Sequence, residues 1–278
     1  MDNLYKYDFL PENVFGHSKK VALIRASLDA LRTRLGRSLK VLDIGCGNGF
    51  AVSRLLAHPQ HDVLAIDLHE PCIKYANNHF AAAGLRFACM PAEALKDKDD
   101  SFDAIVLADV LEHLQQPEVL LNQVCDLLSP HGRVLISIPN GRGPFELESA
   151  LSKLPLLGRF LLSTTDLLVA VCNKWLLRGR WTRAAEVSPD DLPYNDGSPH
   201  VQFFRWRPFQ EMLKRSGLTP LVRRNLSVLS GPFTNYWFTP FAGFCRWNAR
   251  MADHLPSRMV SAWYMELACA ADREVGPV

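Results

Sequence analysis

A short apolar run that ends in a glycine turn, repeated one helix later, restricts this chain more than any other feature. Lys40–Gly45 (KVLDIG) is a short apolar run of the kind a buried parallel strand shows, and its glycine feeds a tight turn. A helix over Phe50–Ala57, a strand over Asp62–Leu68 (DVLAIDL) and a helix over Pro71–Ala83, opened by proline and closed by Gly84, complete a βαβ unit. Arg86–Met90, Phe102–Ala108 and Gly132–Ile138 read as three further buried strands, the last two separated by a helix over Glu118–Leu128. Strands that alternate with helices build a parallel, doubly wound sheet.

The regular alternation stops at Pro139. From Asn140 to about His200 two apolar segments, Phe145–Leu157 and Arg159–Leu177, precede the turn-rich stretch SPDDLPYNDGSPH, a composition that reads as an inserted helical cap over about 141–199. Pattern returns with a helix over Pro208–Ser216 stopped by Gly217, a strand over Leu221–Leu229 and a terminal strand over Ala262–Ala270. The expected fold is therefore α/β, a doubly wound, mostly parallel seven-stranded sheet. One domain is expected, with a helical segment over 1–37, a core over 38–140 and 200–270, and the cap between them.

Composition closes off several classes. Over 278 residues, 48% are hydrophobic and 22% charged, which contradicts disorder. Lysine and arginine number 31 against 29 acids, a net charge of +2, too small for a whole-protein nucleic-acid footprint. Cys46, Cys72, Cys89, Cys125, Cys172, Cys245 and Cys269 are odd in number, scattered and never spaced CxxC. That argues against a disulfide framework and a zinc site, suits a reducing cytosol, and leaves no metal expected. Asp2, Lys6 and Asp8 interrupt the place of a signal peptide. Arg159 and Asp166 break the most apolar stretch, Leu154–Val171, short of the roughly 20 residues that cross a bilayer.

The turn between the first strand and its helix says which ligand the chain suits. Asp43-Ile44-Gly45-Cys46-Gly47-Asn48-Gly49 is followed by Phe50 where a dinucleotide turn needs its third small residue, so the helix N-terminus does not approach a pyrophosphate in the usual way. Asp43 would repel a pyrophosphate but welcome a sulfonium ligand carrying an ammonium group. Asp67, at the tip of the second strand, suits ribose hydroxyls with either ligand.

VLDIGCGNG at 41–49, AIDL at 65–68, PAEAL at 91–95, SFDAIVLADVLEHL at 101–114 and GRVLISIPN at 132–140 together resemble the class I S-adenosylmethionine-dependent methyltransferases. The similarity is greatest to the small-molecule branch that includes ubiquinone-biosynthesis O-methyltransferases. It covers 38–140 densely and 200–270 only as pattern. The resemblance implies S-adenosyl-L-methionine as cofactor, with backbone at Gly45, Cys46 and Gly47 along its methionine part. It also implies Asp67, with Leu68 beside it, at the ribose, and Pro91-Ala92-Glu93 along the adenine. Family members often carry an acid where this chain has Pro91, so the usual contact to the adenine amino group is either lost or passed to Glu93. Ala108 and Asp109 are expected to flank the methionine end, and Glu112 and His113 to enter the cleft.

Those expectations compete with plainer ones. Glu112 and His113 also read as a helix start and a surface histidine, and His200, in HVQFF, as a packed one. Between Lys153 and Arg183 six basic residues and one acid lie among leucines, tryptophans and a phenylalanine, which suits either docking on an anionic membrane or covering the acceptor cleft. Seven aromatics over 233–247 have core packing as their default explanation. Ile138-Pro139-Asn140 is not the turn of enzymes that methylate exocyclic base amines, and no basic stripe with stacked aromatics can be drawn. The sequence thus leads to methyl transfer onto a small-molecule or lipid-like acceptor, more readily at oxygen than nitrogen, with His113, His200 and Glu112 as acid–base candidates. The other open readings are a non-catalytic partner subunit of the same fold and a methyltransferase acting on protein or nucleic acid. A cytoplasmic location, with possible peripheral membrane contact, accompanies the reading.

Overall fold

A computed structural model describes residues 12–95, 101–153, 199–238 and 241–270. Seven strands, β1 (Leu39–Ile44), β2 (His61–Asp67), β3 (Leu85–Cys89), β4 (Phe102–Ala108), β5 (Leu128–Pro139), β6 (Leu218–Asn225) and β7 (Ala262–Cys269), form one sheet in the order β3-β2-β1-β4-β5-β7-β6. The first five strands run parallel, and β7 lies antiparallel between β5 and β6. The doubly wound, mostly parallel seven-stranded sheet expected from the sequence is the sheet observed.

Helices flank it as α1 (His17–Leu35), α2 (Ser53–Leu56), α3 (Glu70–Phe80), α4 (Pro117–Leu127), α5 (Pro144–Ser152), α6 (Trp206–Arg215), α7 (Pro232–Phe238) and α8 (Ala242–Met251). Strand periodicity divides β4 between two cores: Ile105 and Leu107 join the cluster of α4 and α6, while Ala104 and Val106 join that of α1 and α3. Burial on both faces is why β1 and β4 read as mainly apolar runs rather than alternating ones. The strand order reverses between β1 and β4, and at that switch point the carboxyl ends of the strands open a crevice.

The structure corrects several expectations. The helix expected over Phe50–Ala57 shrinks to Ser53–Leu56, because Asn48 and the glycines before it extend the turn. The edge strand β6 begins at Leu218, straight after Gly217 in the left-handed region (φ 72°), and its exposed Arg223 and Arg224 hide the apolar alternation from the sequence. Contrary to the expected all-thiol state, Cys125 of α4 is disulfide-bonded to Cys269 of β7, which are 144 residues apart in sequence and brought together by the sheet. Core packing does not account for Phe238, Phe241 and Trp247, which are exposed, although Phe238 stacks on Phe244 at 4.2 Å. Of the expected cap, α5 is described, whereas the basic run beyond Lys153 and the turn-rich stretch up to 198 lie outside the described residues. So does the N-terminal stretch up to Leu10. Among the described residues no helix is long and apolar enough to cross a membrane.

Candidate active site

The glycine turn is fixed by its neighbours before any ligand is considered. The amides of Gly45 and Cys46 both donate to the Ile66 carbonyl, at 2.8 and 3.0 Å, tying the turn to β2. Gly45 sits at φ 73°, and a Cβ there would lie 2.6 Å from Val110 Cγ2, so only glycine lets the turn close on the loop after β4. The Gly47 amide donates to Asp67 Oδ2 at 2.8 Å and the His69 amide to Oδ1 at 2.9 Å, which holds the carboxylate rigidly at the tip of β2.

Asp43 takes a different place from the one its charge suggested. It is fully buried behind the turn and accepts a hydrogen bond from Ser53 Oγ at 2.6 Å, fastening β1 to α2. Burial pushes its carboxyl up to about 7, against the opposing effect of Ser53. It supports the turn and does not line the cavity beyond it.

That cavity measures about 470 Å³ and opens at the switch point. Gly45, Cys46, Gly47, Asp67, Leu68, Ala92, Glu93, Asp109 and His113, nine of the expected site residues, line it. Ala108 does not, because as the last residue of β4 it packs toward the core, and Asp109 and Val110 take the wall instead. Glu112 is buried beneath the cleft rather than projecting into it.

Asp109 adopts φ 58°, unusual for a residue with a side chain, because its amide donates to the Ser137 carbonyl at 3.0 Å. Its carboxylate accepts from Ser137 Oγ at 2.7 Å and pairs with Lys20 of α1. Burial alone would raise this carboxyl, but the Lys20 ammonium and Ser137 outweigh it and hold it below the usual carboxylate range. Lys20 also acts on His17, which burial first and that ammonium second bring down to about 4, so His17 is neutral at pH 7. Sequence reasoning missed Lys20 and His17, since α1 precedes the first strand and carries no motif.

The structure brings Glu112, His113 and His200 together: one ring nitrogen of each histidine and one Glu112 carboxylate oxygen lie within 4.8 Å of one another. Val201 and Gln202 donate their amides to the Glu112 carbonyl at 2.8 and 3.0 Å, which lays the His200 segment against the turn after β4. His113 Nδ1 lies 3.2 Å from the Pro199 carbonyl, His200 Nδ1 lies 3.2 Å from Glu146 Oε1, and the two rings meet edge to face with centroids 5.0 Å apart. Glu112 Oε2 is buried with no hydrogen-bond partner, and burial together with the negative charge of Asp109 pushes its carboxyl well above the ordinary range. Two imidazoles and a carboxyl at this spacing can exchange a proton, and the same donor set is one that can hold a divalent cation.

Residues 16–222 match the family model described as a methyltransferase domain. The chain is 36% identical over 115 residues to a ubiquinone biosynthesis O-methyltransferase of Parvibaculum lavamentivorans, a match covering 41% of this chain and 45% of that protein. It is 31% identical over 205 residues to a protein of the same name from Sinorhizobium fredii, covering 72% and 67%. In the first of these it spans under half the relative's length. PKMT2 from Rickettsia typhi shares the fold with a TM-score of 0.53 at 19% identity, covering 88% of this chain and 52% of that one. With the family model spanning most of the chain and the switch-point cavity in place, the chain belongs to the class I S-adenosylmethionine-dependent methyltransferases.

Proposed function

We propose that the protein transfers the methyl group of S-adenosylmethionine to a hydroxyl oxygen of a small, apolar or lipid-like acceptor. The observation that carries this reading is the cavity itself, whose lining includes both the rigidly held Asp67 and His113. Each Asp67 oxygen accepts one backbone amide and keeps capacity for a ribose hydroxyl. Met90, Ala92 and Leu120 give an apolar wall suited to adenine, with Glu93 beside it for the exocyclic amine. The backbone at Gly45–Gly47 and the Asp109 carboxylate suit the methionine portion and its ammonium.

When bound, the cofactor supplies an electrophilic methyl on a sulfonium, and the remaining task of the chain is to place an oxygen in line with it. His113 lies at the cavity wall, and its Nδ1 faces a carbonyl that can only accept, so the neutral ring carries its proton there and Nε2 keeps a lone pair. An imidazole in that state serves as the base for the hydroxyl proton. This supports catalysis over the role of a partner subunit that only keeps the fold. The names of the curated relatives support oxygen as the methylated atom and a small molecule as acceptor. Exposed Phe238, Phe241 and Trp247, with Arg246 and Arg250 and no acid in α8, support an acceptor drawn from an anionic membrane surface.

Purified protein incubated with S-adenosylmethionine and a panel of hydroxylated aromatic and lipid-like compounds tests the reading by mass spectrometry. A gain of one methyl on a hydroxyl is expected. Methylation confined to amines, proteins or nucleic acids would overturn it.

A further inference from the structure

Glu146, which no motif singles out, stands behind the histidine pair. Pro144 opens α5 and places Glu146 in its first turn, where its carboxylate reaches His200 Nδ1 at 3.2 Å while the Phe145 ring packs 5.9 Å from the same imidazole. Both groups are largely enclosed, with side-chain exposures of 28% for His200 and 17% for Glu146, so the contact is not a solvated surface pair. The charged and titratable groups around His200 are Glu146 from α5 and His113 and Glu112 from the turn after β4, with the charge of Asp109 acting on Glu112.

We propose that Glu146 is a positioning residue for the acid–base step: by accepting the Nδ1–H of His200 it leaves His200 Nε2 as an acceptor, giving the proton taken up by His113 a way out. The inference rests on the oxygen-methylation reading. As the acceptor oxygen forms its bond to the methyl carbon and the sulfur–methyl bond breaks, the hydroxyl proton passes to His113 Nε2. The sulfonium charge is lost as the imidazolium charge appears. The proton then moves to His200 Nε2, directly or through one water, where the resulting cation is paired with the Glu146 carboxylate until solvent takes it. The products are the methyl ether, S-adenosylhomocysteine and one proton, so His113 returns neutral. Without Glu146 the ring of His200 would favour the Nε2–H tautomer that an imidazole prefers in water, closing that route.

Two-bond proton–nitrogen NMR of the full chain reads the tautomers without any knowledge of the acceptor. In the parent protein both rings should show Nδ1–H, assigned through His113→Gln and His200→Gln. In Glu146→Ala the His200 signals should move to the Nε2–H pattern while those of His113, held by the Pro199 carbonyl, stay. With an acceptor in hand, Glu146→Gln should lower kcat on the order of tenfold with KM for S-adenosylmethionine within twofold, and Glu146→Asp should recover most of the loss. An Nε2–H His200 in the parent, or an unchanged spectrum in Glu146→Ala, overturns the proposal. So does a shift of both rings on adding Mg²⁺ or Zn²⁺ alone that His200→Gln abolishes, which would assign the trio to a cation. Failure to find any oxygen-methylated product would sink the function reading while leaving the spectra to judge Glu146 separately.

Discussion

The Gly141 amide donates to the Phe204 carbonyl at 2.8 Å, and this bond ties the end of β5 to the segment that carries His200. On its other side the same segment is fastened to the Glu112 carbonyl through Val201 and Gln202. Residues remote in sequence thus share a site because one extended stretch is held between two loops at the carboxyl edge of the sheet. A Cβ at Gly141 would lie 2.3 Å from the Phe203 carbonyl carbon, which is backbone and cannot rotate away.

Gly141→Ala is therefore expected to push the segment off both anchors. A loss of about 1–3 kcal/mol of stability is in keeping with overpacking at a rigid contact. Methyl transfer should fall more than cofactor affinity, because Asp67 and the glycine turn stand on other strands. Urea unfolding and calorimetry on the same preparation check both halves of the expectation.

Asp67→Ala removes the acceptor of two backbone amides and, on the proposed reading, of the ribose hydroxyls. Affinity for S-adenosylmethionine or its demethylated product should drop by about 1–3 kcal/mol, the scale of hydrogen bonds to a charged acceptor. NAD should not bind either protein. Unchanged affinity in calorimetry would remove Asp67 from the site.

The buried Asp43 predicts a pH dependence with a definite sign. Its carboxyl is raised to about 7 in the folded chain, so between its unfolded value and that point the native state holds a proton that the unfolded state has released. Stability should accordingly fall as pH rises through that window. Asp109, held low, contributes the opposite way: the stability it supplies is present above its unfolded value and lost as pH falls through its folded one. Asp43→Asn removes the first dependence alone. Its unfolding free energy should decline less than the parent's between about pH 5 and pH 7, by roughly 1–3 kcal/mol. Parallel curves would show that Asp43 is ionised throughout.

Most of the sheet was legible because its central strands are buried on both faces, and a run such as VLDIG has no other economical reading. The glycine turn and Asp67 were legible for the same reason: backbone geometry at a switch point demands particular residues in a particular order. Glu146, Lys20 and His17 were not. Each comes from a helix whose residues look like ordinary solvated or core positions until the tertiary structure sets them against Asp109 or His200. The placement of Asp43 also escaped the sequence, since a carboxylate beside a turn can face either the ligand or the helix behind it, and only packing decides. The cysteine pair lay beyond reach because its partners are joined by no spacing rule, only by the return of β7 beside β5.

That pair gives the last prediction. Cys269 ends β7, whose antiparallel course carries it from Ala262, opposite Pro139, down past Leu267, opposite Val134. The disulfide to Cys125 therefore lies toward the amino ends of the parallel strands, away from the cavity at their carboxyl ends. It joins residues 144 apart in sequence, and a disulfide typically contributes about 2–4 kcal/mol, mainly by restricting the unfolded chain. Reductant should lower the unfolding midpoint of the parent protein but leave that of Cys125→Ser unchanged, and the unfolded, unreduced parent should label two fewer thiols than after reduction. Because the bridge and the cavity occupy opposite edges of the sheet, affinity for the cofactor should stay within about twofold in either redox state, the near-independence expected of distant sites. A large change in affinity on reduction would mean that α4 transmits the state of the bridge to the cavity wall it shares through Leu120.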